Sequence, residues 1–474
     1  MRCSHGKAIV STFYLLSTFL IFFRWGSRYD HGNEYVRQSL VGFAEEKLLC
    51  KSSDPKPLSD STPLSNAEMH AILSQRLALD IHTPQYLFSA SPDNAKMMMN
   101  SMHAQIANHM RVCVAVDEDF GSLRGIASSE PILSEAASNI MLNKAYEFKL
   151  HDALSRVLAG YCVSQGERGE LIVAAFFAWA RDRVVKLEGQ PPAGQLCIYF
   201  SVYVLFKQLF RGSSILDEGG PSIYHSDSGP KKPFKDVFKD ANMHFNHLIK
   251  PDDQKCLRRS KLLAFMARGA AALGANCQPG FDAVYPYLYG GTSLDVKKVG
   301  FIIVQVRNNS TSYMNTSLDE VFSAMDPFAC KLISDTDEED GQFPIPIIRI
   351  VFLLSGNGAS FRQHQYAPRA EQAPKRARNR ASKQARKKAP KQAPECEKRL
   401  FTSYDYVCAG VDPAFLGPVE ESTHESWKTL VNKRDRWQKF YEVPEGEILR
   451  SQIPGGGSDV GHYKNWLEEV SCQE

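Results

Sequence analysis

The sequence predicts an α/β fold that follows a mainly α-helical N-terminal region. A long apolar run after Gln165 has the length of a buried helix rather than a strand. Two runs rich in β-branched and aromatic residues, 281–289 and 299–307, are joined by a glycine-containing loop, as in a β-hairpin. A helical pattern at 319–332 and a third β-type run at 345–354 follow. A helix, a strand pair, a helix and a strand in this order indicate an α/β sandwich.

Residues 1–160 carry mostly helical signals. Ser65, followed three residues later by Glu68, has the spacing of a capping box and predicts that a helix begins there. The Met-rich stretch 97–114 has apolar residues at helical spacing, so a helix is predicted there too, with its methionines filling the core. The Ser-, Pro- and Asp-rich segment 51–65 predicts a linker.

The apolar segment 8–23 has three interpretations. Its 16 residues follow Arg2 and Lys7, whereas a membrane-spanning helix needs about 20 apolar residues and the core of a signal sequence about 7–15. Arg24-Trp25 comes directly after the run, so no cleavage site of small residues is evident. A buried helix, a membrane anchor and a signal sequence therefore stay open, and a membrane is a partner only in the second case.

Between the first core helix and the hairpin the pattern is less regular. Segments 234–249 and 262–273 are predicted to be amphipathic helices. Segment 195–210 fits either a helix or a strand, and 213–232 is typical of a loop.

The net charge of +3 is unevenly distributed along the chain. Ten Lys and Arg residues and one acid lie between Arg369 and Lys391, a local charge of +9. The rest of the chain holds 46 basic and 52 acidic residues, a charge of −6. The basic tract consists mainly of Ala, Lys, Arg, Gln and Pro and cannot form a hydrophobic core, so residues 361–397 are predicted to be disordered.

The basic tract has two functional interpretations and one without function. Lys375-Arg376, followed after nine residues by Arg386-Lys387-Lys388, fits a bipartite nuclear-localisation pattern that a nuclear import receptor would bind. The same cations could contact nucleic-acid phosphates without sequence preference, or the tract could be a solvated linker. Eleven cysteines without a CxxC pair favour reduced thiols inside a cell. A nuclear or cytoplasmic location is therefore expected.

Three polar residues fall at neighbouring strand ends of the predicted hairpin. Side chains alternate along a strand, so Gln305 and Arg307 share one face, and hairpin pairing would bring Asp282 alongside them. Burying an acid, an amide and a cation against an apolar sheet is costly unless they are paired or bind a ligand. The sequence therefore predicts either a ligand site or an Asp282–Arg307 salt bridge at this end of the hairpin.

This pattern resembles the PD-(D/E)xK family of restriction-endonuclease-like proteins. In that family an acid on a helix precedes an aspartate on one hairpin strand, and the (D/E)xK tripeptide lies on the next strand, before a further helix and strand. The matching residues are Glu170 on the helix, with Glu167 as a competitor, then Asp282, then Gln305-Val306-Arg307 at the tripeptide.

More closely, GERGELIVAAFFAWARD, GANCQPGFDAVYP and FPIPIIRIVFLLSGNG resemble an expanded group of mushroom-fungus proteins. Some members carry an upstream NTPase and are similar to the nuclease parts of transposon-linked or crinkler-type proteins. This chain lacks a G-x-x-x-x-G-K-[ST] motif, so no such NTPase is expected. The resemblance covers about 165–357 and implies a restriction-endonuclease-like core at 161–360. Residues 398–474 are predicted to pack on that core as helices and covering loops, because they contain Trp427, Trp437, Phe440, Tyr441 and Trp466.

The resemblance implies metal-assisted hydrolysis of a phosphodiester in nucleic acid. Mg²⁺ would take oxygen ligands from Asp282, Gln305, the Val306 carbonyl and Glu170, and would polarise the phosphate and lower the pKa of an attacking water. Arg307 would steady the charge on the phosphate. Two positions differ from the family pattern, because Gln305 is neutral where an acid is usual and Arg307, unlike Lys, cannot take part in proton transfer.

Two other functions and one further metal pair stay open. The chain could be a catalytically inactive interaction protein that keeps the fold. It could also be anchored to a membrane through residues 8–23, with the basic tract lying on anionic lipid. His244 and His247, spaced i, i+3, could bind a metal on a helix, but a polar helix face is favoured because no third ligand accompanies them.

Overall fold

The structure is a computed structural model, and it describes residues 34–50, 63–79, 103–116, 123–127, 131–159, 165–188, 199–223, 231–251, 257–274, 280–308, 317–333, 342–355, 358–366 and 400–432. The apolar segment 8–23, residues 51–62 of the predicted linker, and the basic tract with its nuclear-localisation pattern lie outside these ranges. Among the described residues, no helix is both long and apolar enough to cross a membrane.

The described residues of the N-terminal region form helices, including a short one at 103–108, and one antiparallel strand pair. Its other helices are α1 (Glu34–Leu49), α2 (Asn66–Leu77), α3 (Pro131–Leu142) and α4 (Leu150–Ala159). The predicted capping box is confirmed, because Ser65 and Glu68 each accept a hydrogen bond from the other's backbone N–H. The helix predicted at 97–114 is wrong over its last part. There, β1 (Arg111–Val116) pairs antiparallel with β2 (Leu123–Ala127), since alternating β-branched residues favour a strand.

The core is a mixed sheet with helices, and the predicted mixed α/β class is confirmed. Its helices are α5 (Gln165–Glu188), α6 (Val202–Leu209), α7 (Ile215–Glu218), α8 (Phe234–Phe238), α9 (Arg259–Ala267), α10 (Leu318–Ala324) and α11 (His424–Asn432). Its strands are β3 (Phe200–Ser201), β4 (Asn242–Met243), β5 (His247–Ile249), β6 (Ala270–Leu273), β7 (Ala283–Leu288), β8 (Val299–Arg307), β9 (Gln342–Leu353), β10 (Ser360–Gln363) and β11 (Leu400–Ala409).

The sheet carries helices on both faces. Its strand order is β10-β11-β9-β8-β7-β4-β3, with β6 paired to β7 and β5 paired to β6. On one face, Phe177 of α5 stacks on Tyr285 of β7, with ring centroids 4.2 Å apart. Tyr285 shares a cross-strand row with Ile348 of β9, so the next residue, Arg349, points to the opposite face. There Arg349 donates from Nη1 to the Phe322 carbonyl of α10 at 2.7 Å.

The predicted hairpin pairs as expected. β7 and β8 are antiparallel, with Val284 opposite Ile303, and β8, β9 and β11 run parallel to one another. These central strands are nearly continuous apolar runs because layers on both faces keep water from them.

Two helices predicted before the hairpin are shorter than expected. Segment 234–249 contains only the short α8, and its second half forms β4 and β5, because pairing with β7 and β6 overrides the helical spacing. Segment 262–273 is divided by Gly269, whose φ of 68° ends α9 and allows β6 to start. His244 and His247 therefore do not lie on a helix, and His247 Nδ1 lies 2.6 Å from Asn246 Oδ1 in the interior.

The sheet continues past residue 360, where the predicted core ended. β11 lies between β9 and the edge strand β10, because its apolar run LFTSYDYVCA can be covered on both faces. Residues 361–366, predicted to belong to the disordered tract, are ordered here, and the Tyr366 hydroxyl donates to Asp405 at 2.8 Å. Asp405 also pairs with Arg349 inside the protein, with Nη2 to Oδ2 at 2.7 Å.

The helix that follows β11 packs on the core. Trp427 of α11 is buried, and its ring meets Phe176 of α5 edge-to-face at 4.9 Å. The other aromatic residues that suggested packing, Trp437, Phe440, Tyr441 and Trp466, lie outside the described residues.

Candidate functional site

Asp282 lies at the end of the sheet that we call the carboxyl edge. This edge is where five strands finish, at Ile249, Leu273, Arg307, Leu353 and Ala409. The backbone of Asp282 is held between two neighbouring strands. Its N–H donates to the Val304 carbonyl at 2.8 Å, and its carbonyl accepts from the Gly274 N–H at 2.7 Å. The carboxylate is therefore attached to a fixed position at the start of β7.

The Asp282 carboxylate is bound by the opposite strand. Its Oδ2 accepts hydrogen bonds from Gln305 Nε2 at 2.7 Å and from the Val306 N–H at 2.5 Å. No nitrogen–oxygen distance within 4.0 Å joins Asp282 to Arg307 in the described structure, so the predicted alternative of a salt bridge is wrong. The predicted neighbours do meet at the strand ends, but the acid pairs with the amide rather than with the cation.

The N-terminal turn of α5 places Glu170 beside this edge. A Cβ at Gly169 would lie 2.7 Å from Asn308 Cβ and 3.1 Å from Val306 Cγ1, so only glycine allows the helix to approach β8 so closely. Asn308 Nδ2 donates to the Gln165 carbonyl at 2.8 Å and fixes the first turn of the helix. Glu170 is half-buried by this packing.

The competing acid from the sequence is placed differently. Glu167 lies one turn earlier on α5 and is exposed. The helix acid of the site is therefore Glu170.

The pKa values of both carboxyl groups are raised above their ordinary values. Burial raises the pKa of Asp282 to about 6, although the Val306 N–H, the charge of Arg307 and the Gln305 amide each lower it. Burial also raises the pKa of Glu170 to about 8, the negative charge of Asp282 raises it further, and Lys250 lowers it. Neighbouring carboxylates in a poorly solvated place repel each other when both are ionised. A cation bound between them would favour the ionised forms and release protons.

Two cations flank the acid pair. Arg307 is half-buried, and its Nε is buried without a hydrogen-bond partner in the described structure. Lys250 follows the last residue of β5, and its charge acts on Glu170.

Lys250 was not predicted as a site residue. It directly follows the predicted helix 234–249 and is far from the hairpin in sequence. The signal that could have identified it is a cation directly after the short apolar run HLI. That run was too short to be recognised as a strand.

The oxygen atoms at this edge suit a hard divalent cation. Within the described ranges, no group of three or more His, Cys, Asp or Glu side chains could hold a metal ion. The oxygen atoms available at this edge are instead those of two carboxylates, Asp282 and Glu170, the amide of Gln305 and the Val306 carbonyl. The Val306 carbonyl points to the same side as its N–H, which Asp282 accepts. Gln305 presents its Nε2 to Asp282, so its amide must rotate before its oxygen can serve as a ligand.

Neither the known family models, nor the curated proteins, nor the solved structures include a match to this chain. The relation to restriction-endonuclease-like proteins therefore stays a prediction that rests on the residues themselves.

Proposed function

We propose that this chain is a metal-dependent phosphodiesterase with a restriction-endonuclease-like core that acts on nucleic acid. The observation that carries the proposal is the pair of carboxyl groups with raised pKa values, Asp282 and Glu170, at the end of an antiparallel strand pair with Gln305 opposite Asp282. The order α5, β7–β8, α10, β9 also agrees with the order that the resemblance implies.

Each residue has a defined task in this proposal. Asp282, Glu170, the Gln305 amide oxygen and the Val306 carbonyl would hold Mg²⁺. Bound there, the ion supplies Lewis-acid polarisation of the phosphate and a lower pKa for the attacking water. Arg307, whose Nε has no hydrogen-bond partner among the described residues, can hold a phosphate group through two parallel hydrogen bonds.

Two features of the site weaken its activity. The Gln305 amide contributes no charge, so the site binds a divalent ion less strongly than one with a third carboxylate would. Arg307 keeps its proton under all physiological conditions, so it stabilises charge without exchanging a proton. We therefore expect slow hydrolysis.

The experiment is a hydrolysis assay on plasmid and single-stranded DNA with Mg²⁺ or Mn²⁺. Asp282→Ala should abolish activity, because it removes the central carboxylate. The double variant Gln305→Glu, Arg307→Lys should raise activity by about tenfold or more, since it restores a charged ligand and an exchangeable proton. If the double variant is as inert as Asp282→Ala with both metals, the site is not a nuclease site.

A second candidate is a catalytically inactive interaction protein. The observation that favours it is the internal pairing of Asp282 Oδ2 with both Gln305 and the Val306 N–H, which satisfies this oxygen without a ligand. In that case Gln305→Ala should destabilise the fold by about 1–3 kcal/mol, because it leaves a buried carboxylate under-bonded. Neither metal nor DNA should change this loss.

A further inference from the structure

Three cations stand along the carboxyl edge at regular intervals. Arg307 ends β8 in the middle of the sheet, Lys250 follows β5 on one side, and Arg362 lies on the edge strand β10 on the other. The cross-strand pairing fixes where each of them lies relative to the acid pair.

Arg362 shares a cross-strand row with Gln305. Gln305 is the partner of Val351 in β9. Val351 is the partner of Val407 in β11, which in turn is the partner of Arg362. Residues directly opposite each other point to the same face, so Arg362 and Gln305 face the same side of the sheet. Three strand spacings separate them, a span of about 14 Å.

Lys250 occupies the corresponding place on the other side. Its neighbour Ile249 is the partner of Ala272 in β6. Ala272 is the partner of Val284, and Val284 is the partner of Ile303 in β8. Lys250 is therefore also three strand spacings from β8, again about 14 Å. Because Ile249 shares its row with Ile303, the next residue, Lys250, points to the face that α5 covers, opposite to the face of Arg307 and Arg362. Its effect on the pKa of Glu170 agrees with a position next to the acid pair.

No acid lies within 4.0 Å of Lys250, Arg307 or Arg362 among the residues that the structure describes, although Lys250 and Arg307 act over longer distances on Glu170 and Asp282. Arg362 is exposed, and Lys250 and Arg307 are half-buried. By contrast, Arg349, two residues along β9 from Val351, is fully buried and is bound by Asp405 through two nitrogen atoms.

A cavity of about 290 Å³ opens beyond the ends of β9 and β11, the two strands that separate β8 from β10. It is lined by Leu354 and Gly410, the residues that follow these strands, and by Asp412 and Lys428. The carboxyl edge is thus concave beyond its two central parallel strands.

We propose that the carboxyl edge binds a nucleic-acid backbone crosswise to the ends of the β-strands, with Lys250 from one face of the sheet and Arg362 from the other contacting phosphates on either side of the phosphate at Arg307. The inference rests on the proposed function, because it takes Arg307 as the centre. Each flanking cation lies at a distance equal to the rise of about four base pairs of duplex. Contacts of this kind position the backbone and carry no sequence preference.

The test measures binding of fluorescein-labelled DNA by anisotropy, with Ca²⁺ in place of Mg²⁺ so that binding is followed without hydrolysis. The full chain is used, so the basic tract contributes equally to every variant. Lys250→Met and Arg362→Met should each weaken binding roughly 3- to 10-fold and reduce the salt slope by about 1. Lys250→Arg and Arg362→Lys, which keep the charge, should bind like the wild type.

A matched control and a double variant complete the design. Lys297 is an exposed lysine that precedes β8 at the opposite end of the sheet, so Lys297→Met should leave DNA binding unchanged. The losses in the Lys250→Met, Arg362→Met double variant should multiply, because the two cations are far apart and share no partner. Duplex and single-stranded DNA are compared to learn which form the edge prefers.

The outcomes separate this proposal from the nuclease assignment. If the double variant binds as tightly as the wild type, or if Lys297→Met loses as much affinity, the proposed surface is wrong even if Asp282-dependent hydrolysis is found. If the double variant loses binding but no variant hydrolyses DNA, the surface stands and the nuclease assignment fails. A wild-type chain that binds no nucleic acid overturns the surface.

Discussion

The proposed cation site depends on the carboxyl groups of Asp282 and Glu170. Their positions follow from local features: a strand start held by two backbone hydrogen bonds, and a glycine that lets α5 approach β8. Both acids were predicted from the sequence, because the order of helix acid, aspartate and tripeptide along the chain can be recognised without knowing any distance between them. Lys250 was not predicted, because strand pairing between distant segments brings it to the site.

The raised pKa of Glu170 makes stability depend on pH. The native state keeps a proton on this group up to about pH 8, whereas an exposed glutamate loses it near 4.5. The native state therefore binds more protons than the unfolded state between these values, so stability falls as pH rises through this window.

The Glu170→Gln variant removes this titration. We compare the difference in melting temperature, Glu170→Gln minus wild type, at two pH values. This difference should be a few degrees larger at about pH 8.5 than at about pH 5. Thermal unfolding followed by circular dichroism at both pH values measures the difference. An offset that is the same at both pH values would show that Glu170 is ionised like an exposed acid.

At the scale of elements, the contact between α5 and β8 positions the site. The long helix and the strands β7, β8 and β9 were predicted because each is a long run with one clear pattern. The two- to four-residue strands β3 to β6 were not, since so short a segment has no periodicity of its own and depends on its partners. β11 was missed for another reason, because the basic tract separates it in sequence from the strand that it pairs with.

The close approach at Gly169 can be tested directly. Gly169→Ala should destabilise the protein by about 1–3 kcal/mol, because the new Cβ would press against Asn308 and Val306. Gly42→Ala is the matched control, since Gly42 also lies in a helix but a Cβ there meets nothing within 4 Å. The control should gain about 0.5–1 kcal/mol from its higher helix propensity. Urea unfolding of both variants measures the free energies, and an equal gain at the two positions would contradict the packing described.

For the whole molecule, the basic tract connects two strands of the sheet rather than two domains. It joins β10 to β11, and the order of the sheet shows that both its ends are anchored in the core. A deletion should spare Tyr366, because its hydroxyl donates to Asp405.

We predict that replacing residues 369–391 with a short Gly/Ser linker leaves the melting temperature unchanged within about 2 °C, because the tract adds no hydrophobic surface. Nuclear accumulation of a fluorescent fusion and salt-sensitive DNA binding should both decrease. Unchanged location and binding would identify the tract as a solvated linker. Accumulation of the intact fusion at a membrane would instead support residues 8–23 as an anchor.

The central claim is that the acid pair at the carboxyl edge binds a divalent cation. Isothermal titration of Mn²⁺ into the full chain, in two buffers of different ionisation enthalpy, measures both the binding and the protons released. We expect Mn²⁺ to bind at one saturable site with release of protons. Asp282→Asn should abolish this binding, and Gln305→Glu should make it tighter. Asp152→Asn changes a half-exposed acid on α4 that forms an ion pair with Arg156, and this variant should bind Mn²⁺ like the wild type. Unchanged Mn²⁺ binding in Asp282→Asn would contradict a cation site at this edge. So would the absence of Mn²⁺ binding from both the wild type and Gln305→Glu.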